Sequence, residues 1–301
     1  MDNGQLHSAS PDALARLTGN AKLNHAKLDQ IFSNYDFYSN LFHNSIFTNS
    51  EQKNNHIENA SYHENRYKKL VQTIEAHSPK RILDVGNDKP FLTWLMKLAL
   101  PNADFTTLTF PIPDNPFDTY AVDVETENWN IHSNEFDFCI FAEVIEHLWR
   151  DPARPIYEIS GLLASEGILY LTTPNACELH ALTNVLWQAN PNQRGKIFPH
   201  LESGHVHLYT VGALKELVRE NGFQLISSKT FSPYGYTNFE NDVADFARHV
   251  SPHFDLMGET IEIISMKDRR PDSPVRSKSV YETDCAVLPE GAILSMLAKI
   301  R

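Results

Sequence analysis

Short apolar runs and helix-like spacings alternate along most of the chain. Apolar runs of strand length occur at 81–86, 104–110, 120–124, 136–142, 168–173, 223–231 and 260–266. Apolar positions with helical spacing fill 61–77, 91–100, 152–165 and 210–221. Predicted strands and helices alternate along the chain until the last two strands, which are joined directly by a polar segment. This order predicts an α/β fold with a mostly parallel seven-stranded sheet and one antiparallel strand.

The regions flanking this pattern differ from it. Residues 11–33 predict one broken or two short helices, and 38–60 predict a loop, so we expect 1–60 to be a helical or irregular extension. The main domain is expected at 61–267, with 176–206 as a lid insertion too long for a simple connection. A C-terminal extension, 268–301, ends in an apolar helix at 292–300 that either packs locally or forms a homodimer contact.

One strand runs directly into ionisable side chains. The segment Phe136–Ala142 is apolar on both faces apart from Asp137, and Glu143, Glu146 and His147 follow it. If Glu143 begins a helical turn, Glu146 and His147 project from its same side. Ligands of open α/β sheets bind outside the carboxyl ends of the strands, so these groups are expected to face a binding crevice.

Composition narrows the class of protein. Acidic side chains number 38 against 26 basic ones, for a net charge of −12, which argues against a protein that mainly grips nucleic acid. The cysteines at 139, 177 and 285 lack the spacing of a disulfide framework or a zinc site. No signal peptide or membrane span is recognisable, so a cytoplasmic protein is expected.

Several motifs in register carry a family resemblance. They are Ile82–Gly86, Val122–Glu125, Phe136–His147, Gly167–Asn175, His205–Thr210 and Asn221–Phe223. Over residues 60–267 the chain resembles the class I S-adenosylmethionine-dependent methyltransferases. The resemblance implies a Rossmann-like seven-stranded sheet, with S-adenosyl-L-methionine as cofactor.

The resemblance also implies where the cofactor lies. Asp84 and Gly86 would lie beside its amino-acid portion, where a small residue lets the ligand approach the backbone. Asp123 would accept a hydrogen bond from the adenine amino group, and Phe141 and Ala142 would line the pocket. The alternative for Asp84 is an ordinary polar residue at a strand end, but the later motifs in register favour the cofactor contact.

Two departures from the family pattern affect this site. Asp88 and Pro90 replace the further glycines of the glycine-rich turn. Proline fits a first helical position, but a carboxylate near that of the cofactor is unfavourable. Thr109 stands where the family usually has an acid for the ribose hydroxyls and offers a weaker neutral hydrogen bond. These changes motivate one alternative, a non-catalytic binding protein on a degenerate methyltransferase fold.

The groups after the fourth strand resemble a metal site. Glu143, Glu146, His147 and His207 are similar to the divalent-metal ligands of ubiquinone-pathway O-methyltransferases and small-RNA 2′-O-methyltransferases; His207 matches the fourth position better than His205. Carboxylates and imidazoles suit Mg²⁺ or Mn²⁺ with positions left for acceptor hydroxyls. His147, His207 and Glu143 are then the catalytic residues. Two alternatives are a metal-free base at either histidine and a purely structural turn.

The lid insertion mixes aromatic, amide and basic side chains. They are His180, Trp187, Gln188, Asn190, Asn192, Gln193, Arg194, Phe198 and His200. Such a mixture suits a polyhydroxylated acceptor, although the aromatic residues would serve equally to pack the insertion down. We therefore expect O-methylation of a saccharide or sugar-containing small molecule. N-methylation of an amino sugar and 2′-O-methylation of RNA are the alternatives, and the acidic balance disfavours RNA.

Overall fold

The fold is α/β, with a seven-stranded sheet in the order β3-β2-β1-β4-β5-β7-β6. The structure is a computed structural model, and it describes residues 63–86, 93–94, 96–97, 100–109, 117–125, 129, 131, 134–189, 205–233, 241–251, 253–277 and 280. Predictions for residues 1–60 and for the helix at 292–300 lie outside this part of the chain.

The strands follow the apolar runs of the sequence. They are β1 Arg81–Val85, β2 Asp104–Thr109, β3 Asp118–Ala121, β4 Phe136–Ala142, β5 Leu163–Pro174, β6 Phe223–Phe231 and β7 Thr260–Lys267. The α-helices are α1 Glu64–His77, α2 Ala153–Leu162, α3 Leu179–Leu186, α4 Val211–Glu220 and α5 Asn241–Val250. Two short 3₁₀ helices occupy Ile145–His147 and Phe254–Leu256.

Strand direction confirms the predicted sheet. Strand β1 runs parallel to β2 and β4, and β2 runs parallel to β3. Strand β7 runs antiparallel to both of its neighbours, β5 and β6. Strands β6 and β7 pair antiparallel, although helix α5 and a 3₁₀ helix occupy the connection that the sequence predicted to be a simple polar segment. The sheet is therefore mostly parallel with one antiparallel strand.

The chain divides into two compact units. The first comprises Met1–Ile140 and Leu162–Gly167. Within it, α1 buries Leu70, Val71 and Ile74 at helical spacing, and the interior of β1 is buried as well. This unit contains the ends of β1 and β2, where the family resemblance predicts most of the cofactor contacts.

The second unit comprises Phe141–Gly161 and Ile168–Arg301 and contains β6, β7 and most of β5. A buried polar network crosses these strands, because Glu262 accepts a hydrogen bond from Tyr170 at 3.2 Å and lies 3.1 Å from Lys229. The segment after β7 is hydrogen-bonded to the turn that follows α4. The carbonyl of Gly222 in that turn accepts the amides of Asp268 and Arg269 at 3.0 and 3.1 Å.

Some predicted boundaries are wrong. Strand β3 begins at Asp118 and ends at Ala121, two to three residues earlier than predicted. Strand β5 begins at Leu163, where α2 ends, rather than after Gly167. Helix α5 was not predicted at all. Across the described helices, none is long and apolar enough to cross a membrane.

Candidate active site

The turn after β4 departs from the helix that the sequence predicts. Glu143 has a left-handed backbone with φ of 57°, and its amide donates to a carbonyl of β5 at 2.9 Å. A left-handed residue cannot lie in a right-handed helix, so the turn begins only at Ile145 and is a 3₁₀ helix, Ile145–His147. Glu143 therefore lies outside the helical turn that carries Glu146 and His147, which corrects the prediction that all three share one helical face.

Glu146 is the buried member of this turn, with 1% of its surface exposed. Its Oε2 accepts a hydrogen bond from Thr173 Oγ1 at 2.9 Å, and its Oε1 lies 3.7 Å from His147 Nε2. A buried carboxylate needs hydrogen bonds or opposite charge to remain ionised. Thr173 supplies one such hydrogen bond, and His147 supplies a positive partner whenever its ring is protonated.

The end of the insertion reaches the same turn. The main-chain carbonyl of Glu146 accepts the amides of Val206 and His207 at 2.7 and 3.1 Å. This pairing places His205 beside His147, with ring centroids 5.1 Å apart in an edge-on arrangement. Burial and the neighbouring His147 lower the pKa of His205, while Glu143 acts to raise it. A lowered pKa favours the uncharged ring, the form that binds a metal or takes up a proton.

Three ligand atoms converge here. The carboxylate of Glu146 and the imidazoles of His147 and His205 each offer one atom, and these atoms lie within 4.8 Å of one another. One carboxylate and two imidazoles form a donor set that first-row divalent ions accept. The residues present therefore fit a divalent metal.

The structure does not bring every predicted ligand into this group. Glu143 and His207 are not among its members. The charge of Glu143 acts to raise the pKa of His205. The ring of His207 lies 6.3 Å from that of Tyr209, measured between centroids. The family resemblance favoured His207 over His205, but their spacing alone does not separate them, because residues two apart on an extended segment point to the same side. The ligand-atom distances separate them, since His205 and not His207 joins the group with Glu146 and His147.

The predicted cofactor residues of the first unit lie at strand ends. Asp84 is buried near the end of β1, and its Oδ2 accepts a hydrogen bond from Thr93 at 2.8 Å. Gly86 has φ of 79° and donates its amide to the carbonyl of Leu108 at 2.7 Å, so the chain turns sharply after β1. Glycine adopts this conformation without strain. Asp88 and Pro90 lie outside the described residues.

Thr109 and Asp123 occupy the neighbouring strand ends. Thr109 is the last residue of β2 and is buried. Asp123 follows β3 instead of lying within it, and its Oδ1 accepts the amide of Glu125 at 2.9 Å. This short-range bond holds the Asp123 carboxylate in a turn, an arrangement typical of aspartate.

The last two residues of β4 belong to the second unit. Phe141 has no exposed surface and packs in the core, whereas Ala142 is half-buried. A small side chain at this strand end leaves more room for a ligand than a large one does. Ala142 is thus the more accessible of the two predicted pocket residues.

The start of the insertion is fixed by Asn175. Its Nδ2 donates to the carbonyls of Leu256 and Gly258 at 2.9 and 2.8 Å, and its Oδ1 accepts the amide of Cys177 at 3.0 Å. The backbones of Asn175 and Tyr209 also form an isolated parallel β-bridge. One buried amide side chain therefore joins the first residues of the insertion to the segment before β7.

Beyond Asn175, the insertion carries an acid with a shifted pKa. Burial, and then the charge of Glu259, raise the pKa of Glu178 to about 7. Helix α3 follows, and Trp187, the residue directly after it, is 79% exposed. Trp187 is therefore not packed down onto the described part of the chain. Phe198 and the amides of residues 190–193 lie outside that part.

Comparison with solved structures finds distant similarity to the following proteins. The cyclase SpnF is 17% identical, over 68% of this chain and 81% of its own, with a TM-score of 0.43. The N-methyltransferase NodS from Bradyrhizobium japonicum is 13% identical over 70% and 99%, with a TM-score of 0.44. An S-adenosylmethionine-dependent methyltransferase from Mesorhizobium loti is 13% identical over 69% and 99%, with a TM-score of 0.45. No curated protein matches significantly.

Family membership rests on the sequence itself. The model of a methyltransferase domain matches residues 60–228, which is more than half of the 301 residues. The match covers β1 to β5, the turn with Glu146 and His147, the insertion, and most of β6. The chain belongs to this methyltransferase-domain family and is an S-adenosylmethionine-dependent methyltransferase.

Proposed function

We propose that this methyltransferase transfers the methyl group to a hydroxyl of a saccharide or a sugar-containing small molecule, with assistance from a divalent metal. The observation that carries the proposal is the convergence of Glu146, His147 and His205 ligand atoms within 4.8 Å. An alcohol is a weak nucleophile until its proton is removed, so O-methylation requires either a metal or a base at the acceptor. This cluster offers ligands for the first and imidazoles for the second.

Residue roles follow from the geometry of the turn. Glu146, His147 and His205 would hold Mg²⁺ or Mn²⁺, which would supply Lewis acidity that lowers the pKa of a bound hydroxyl. The pKa of His205 is lowered by burial, which favours the uncharged ring that can bind the ion or accept the hydroxyl proton. Glu143 stabilises positive charge that develops on His205. We propose His205 as the third ligand in place of His207, whose ligand role only the family resemblance implies.

The cofactor contacts remain as the resemblance implies them. We assign Asp84 and Gly86 to the amino-acid portion, Thr109 to the ribose, and Asp123 to the adenine. The sharp turn at Gly86 supports the first assignment, because backbone without a Cβ allows a ligand to approach closely. Thr109 has a buried side chain at a strand end, where a hydroxyl would donate or accept one hydrogen bond.

The acceptor class rests on the insertion. The exposed face of Trp187 is a surface on which a sugar ring would stack, and amide side chains follow it in the sequence. The net charge of −12 suits a neutral or cationic small molecule better than RNA.

Calorimetric titration with S-adenosylhomocysteine tests cofactor binding first. We expect a single site with micromolar affinity; no heat at millimolar ligand would contradict the assigned cofactor contacts. Variants T109D and T109V refine the test. Restoring an acid at the ribose position should tighten binding, and removing the hydroxyl should weaken it by about two- to tenfold.

Metal dependence is tested on methyl transfer. Acceptor mixtures of monosaccharides, amino sugars and glycosylated phenols, together with short RNA, would be incubated with methyl-labelled S-adenosylmethionine. We expect label on a sugar oxygen, loss of transfer after chelation, and recovery with Mn²⁺ or Mg²⁺. Transfer that survives chelation would establish metal-free base catalysis. Label on nitrogen or on RNA would overturn the acceptor class.

A further inference from the structure

Just before its last residue, Pro174, strand β5 carries two adjacent buried threonines, Thr172 and Thr173, both with 0% exposure. Adjacent residues of a strand point to opposite faces, so their hydroxyls meet different surroundings. Thr173 Oγ1 donates to Glu146 Oε2 at 2.9 Å. Within the described part of the chain, the hydroxyl of Thr172 makes no hydrogen bond.

The hydroxyl of Thr173 is not required by the strand. The preceding β5 residues, Leu169, Tyr170 and Leu171, are buried and mostly apolar, and valine would fill the same space at 173. Burying a hydroxyl is unfavourable unless it makes a hydrogen bond. The bond to Glu146 compensates that cost and ties the end of β5 to the ligand cluster.

Glu146 is held from two directions. Thr173 fixes carboxylate oxygen Oε2, while the amides of Val206 and His207 fix the main-chain carbonyl at 2.7 and 3.1 Å. With both ends held, the remaining oxygen Oε1 lies 3.7 Å from His147 Nε2. A carboxylate that accepts a hydrogen bond on one oxygen has fewer orientations open to the other.

We propose that Thr173 is a positioning residue of this site: its hydroxyl orients Glu146 so that Oε1 joins His147 and His205 in one ligand cluster. Thr173 acts through Glu146, since its own side chain has no exposed surface through which to contact a ligand. The inference rests on the proposed metal site for its first test, and a second test is independent of the metal.

The first test compares three variants in a titration with Mn²⁺ alone, followed by electron paramagnetic resonance. T173V removes the hydroxyl at constant shape, T173S keeps it, and T172V removes the adjacent buried hydroxyl. We expect T173V to weaken Mn²⁺ binding about ten- to a hundredfold, as loss of a hydrogen bond behind a ligand typically does. T173S and T172V should remain within about threefold of the unaltered protein.

The second test uses ring-¹⁵N histidine and the metal-free protein. T173V should shift the ring nitrogen signals of His147, because the facing Glu146 oxygen moves, whereas T172V and T173S should leave them in place. T173A serves as the hydroxyl-free variant if T173V does not fold. Binding of S-adenosylhomocysteine to each variant confirms that the cofactor site is intact.

The two tests separate the hypotheses. If the unaltered protein binds no Mn²⁺ yet T173V shifts the His147 signals and T172V does not, the metal proposal fails and the role of Thr173 stands. If T173V behaves like T172V in the histidine spectra and in any Mn²⁺ binding, Thr173 has no positioning role. Loss of the same properties in T173S would likewise overturn the assignment to the hydroxyl.

Discussion

The rings of His147 and His205 lie 5.1 Å apart, although 58 positions separate them in the chain. The main chain of Glu146 produces this contact by accepting the amides of the two residues that follow His205. His207 shares this main-chain contact, but its ring contacts that of Tyr209, with 6.3 Å between centroids. The structure thus gives the two histidines different surroundings that their spacing does not reveal.

We predict that H205A and H207A have unequal effects. Loss of a direct ligand should weaken Mn²⁺ binding by at least about a hundredfold in H205A, whereas H207A should change it by less than about threefold. The measurement is the same Mn²⁺ titration, supported by the initial rate of methyl transfer once an acceptor is found. The reverse order of effects would return the ligand role to His207.

The left-handed backbone of Glu143 is expected to lower the free energy of unfolding. A non-glycine residue at φ of 57° costs on the order of 1 kcal/mol, and glycine removes that cost. We predict that E143G unfolds in urea with a free energy about 1 kcal/mol above that of E143A, which lacks the carboxylate but keeps the strained backbone.

Both Glu143 variants should lose the same interaction with His205. Methyl transfer should therefore fall by a similar factor in E143G and E143A, while their stabilities differ. Equal stabilities would indicate that the backbone at residue 143 carries no strain. A large difference in activity would indicate that the backbone conformation, rather than the carboxylate, matters for the reaction.

The sheet was predictable because its strands are marked by short apolar runs. Strands β4 and β6 match the sequence prediction residue for residue, and the single antiparallel strand follows from two strands in succession. Helix α5 was missed although Val243, Phe246, Ala247 and Val250 have helical spacing. The polar residues among them suggested a loop instead, and the periodicity would have been the better guide.

The candidate site was only partly predictable. The position of Glu146 and His147 at the end of a parallel strand follows from local sequence. The left-handed backbone of Glu143 does not, since no glycine or asparagine marks it. The approach of His205 depends on main-chain hydrogen bonds between segments distant in sequence, and side-chain patterns carry no information about those bonds.

Stability should decrease with rising pH because of Glu178. Its pKa is raised from the usual 4.5 to about 7, so the folded state retains a proton that the unfolded state has already lost. In that window the unfolded state binds fewer protons, and the free energy of unfolding falls as pH rises from about 4.5 to about 7. The effect is roughly 1 kcal/mol, a reduced figure because water screens this half-exposed carboxyl.

Amide variants isolate this contribution. E178Q should flatten the fall in stability between pH 4.5 and pH 7, measured by urea unfolding at each pH. E166Q makes the same chemical change at an exposed position and should leave the slope unchanged. An unaltered slope in E178Q would show that burial and Glu259 do not raise the pKa of Glu178.

Gly222 is predicted to be the least replaceable of the described glycines. It has φ of 97°, and a Cβ there would lie 2.1 Å from the carbonyl oxygen of Arg269. That oxygen belongs to the backbone segment whose amides already bind the Gly222 carbonyl, so it cannot move aside without breaking those hydrogen bonds. G222A should therefore reduce the free energy of unfolding by about 3 kcal/mol or more.

G212A is the matched control near the start of α4. A Cβ there would approach nothing closer than Thr210 Oγ1 at 3.8 Å, and alanine is a better helix former than glycine. Urea unfolding should show G212A equal to the unaltered protein or up to about 1 kcal/mol more stable. Similar losses of stability in both variants would mean that any added methyl group near α4 is destabilising. The packing of the segment after β7 against Gly222 would then not explain the loss in G222A.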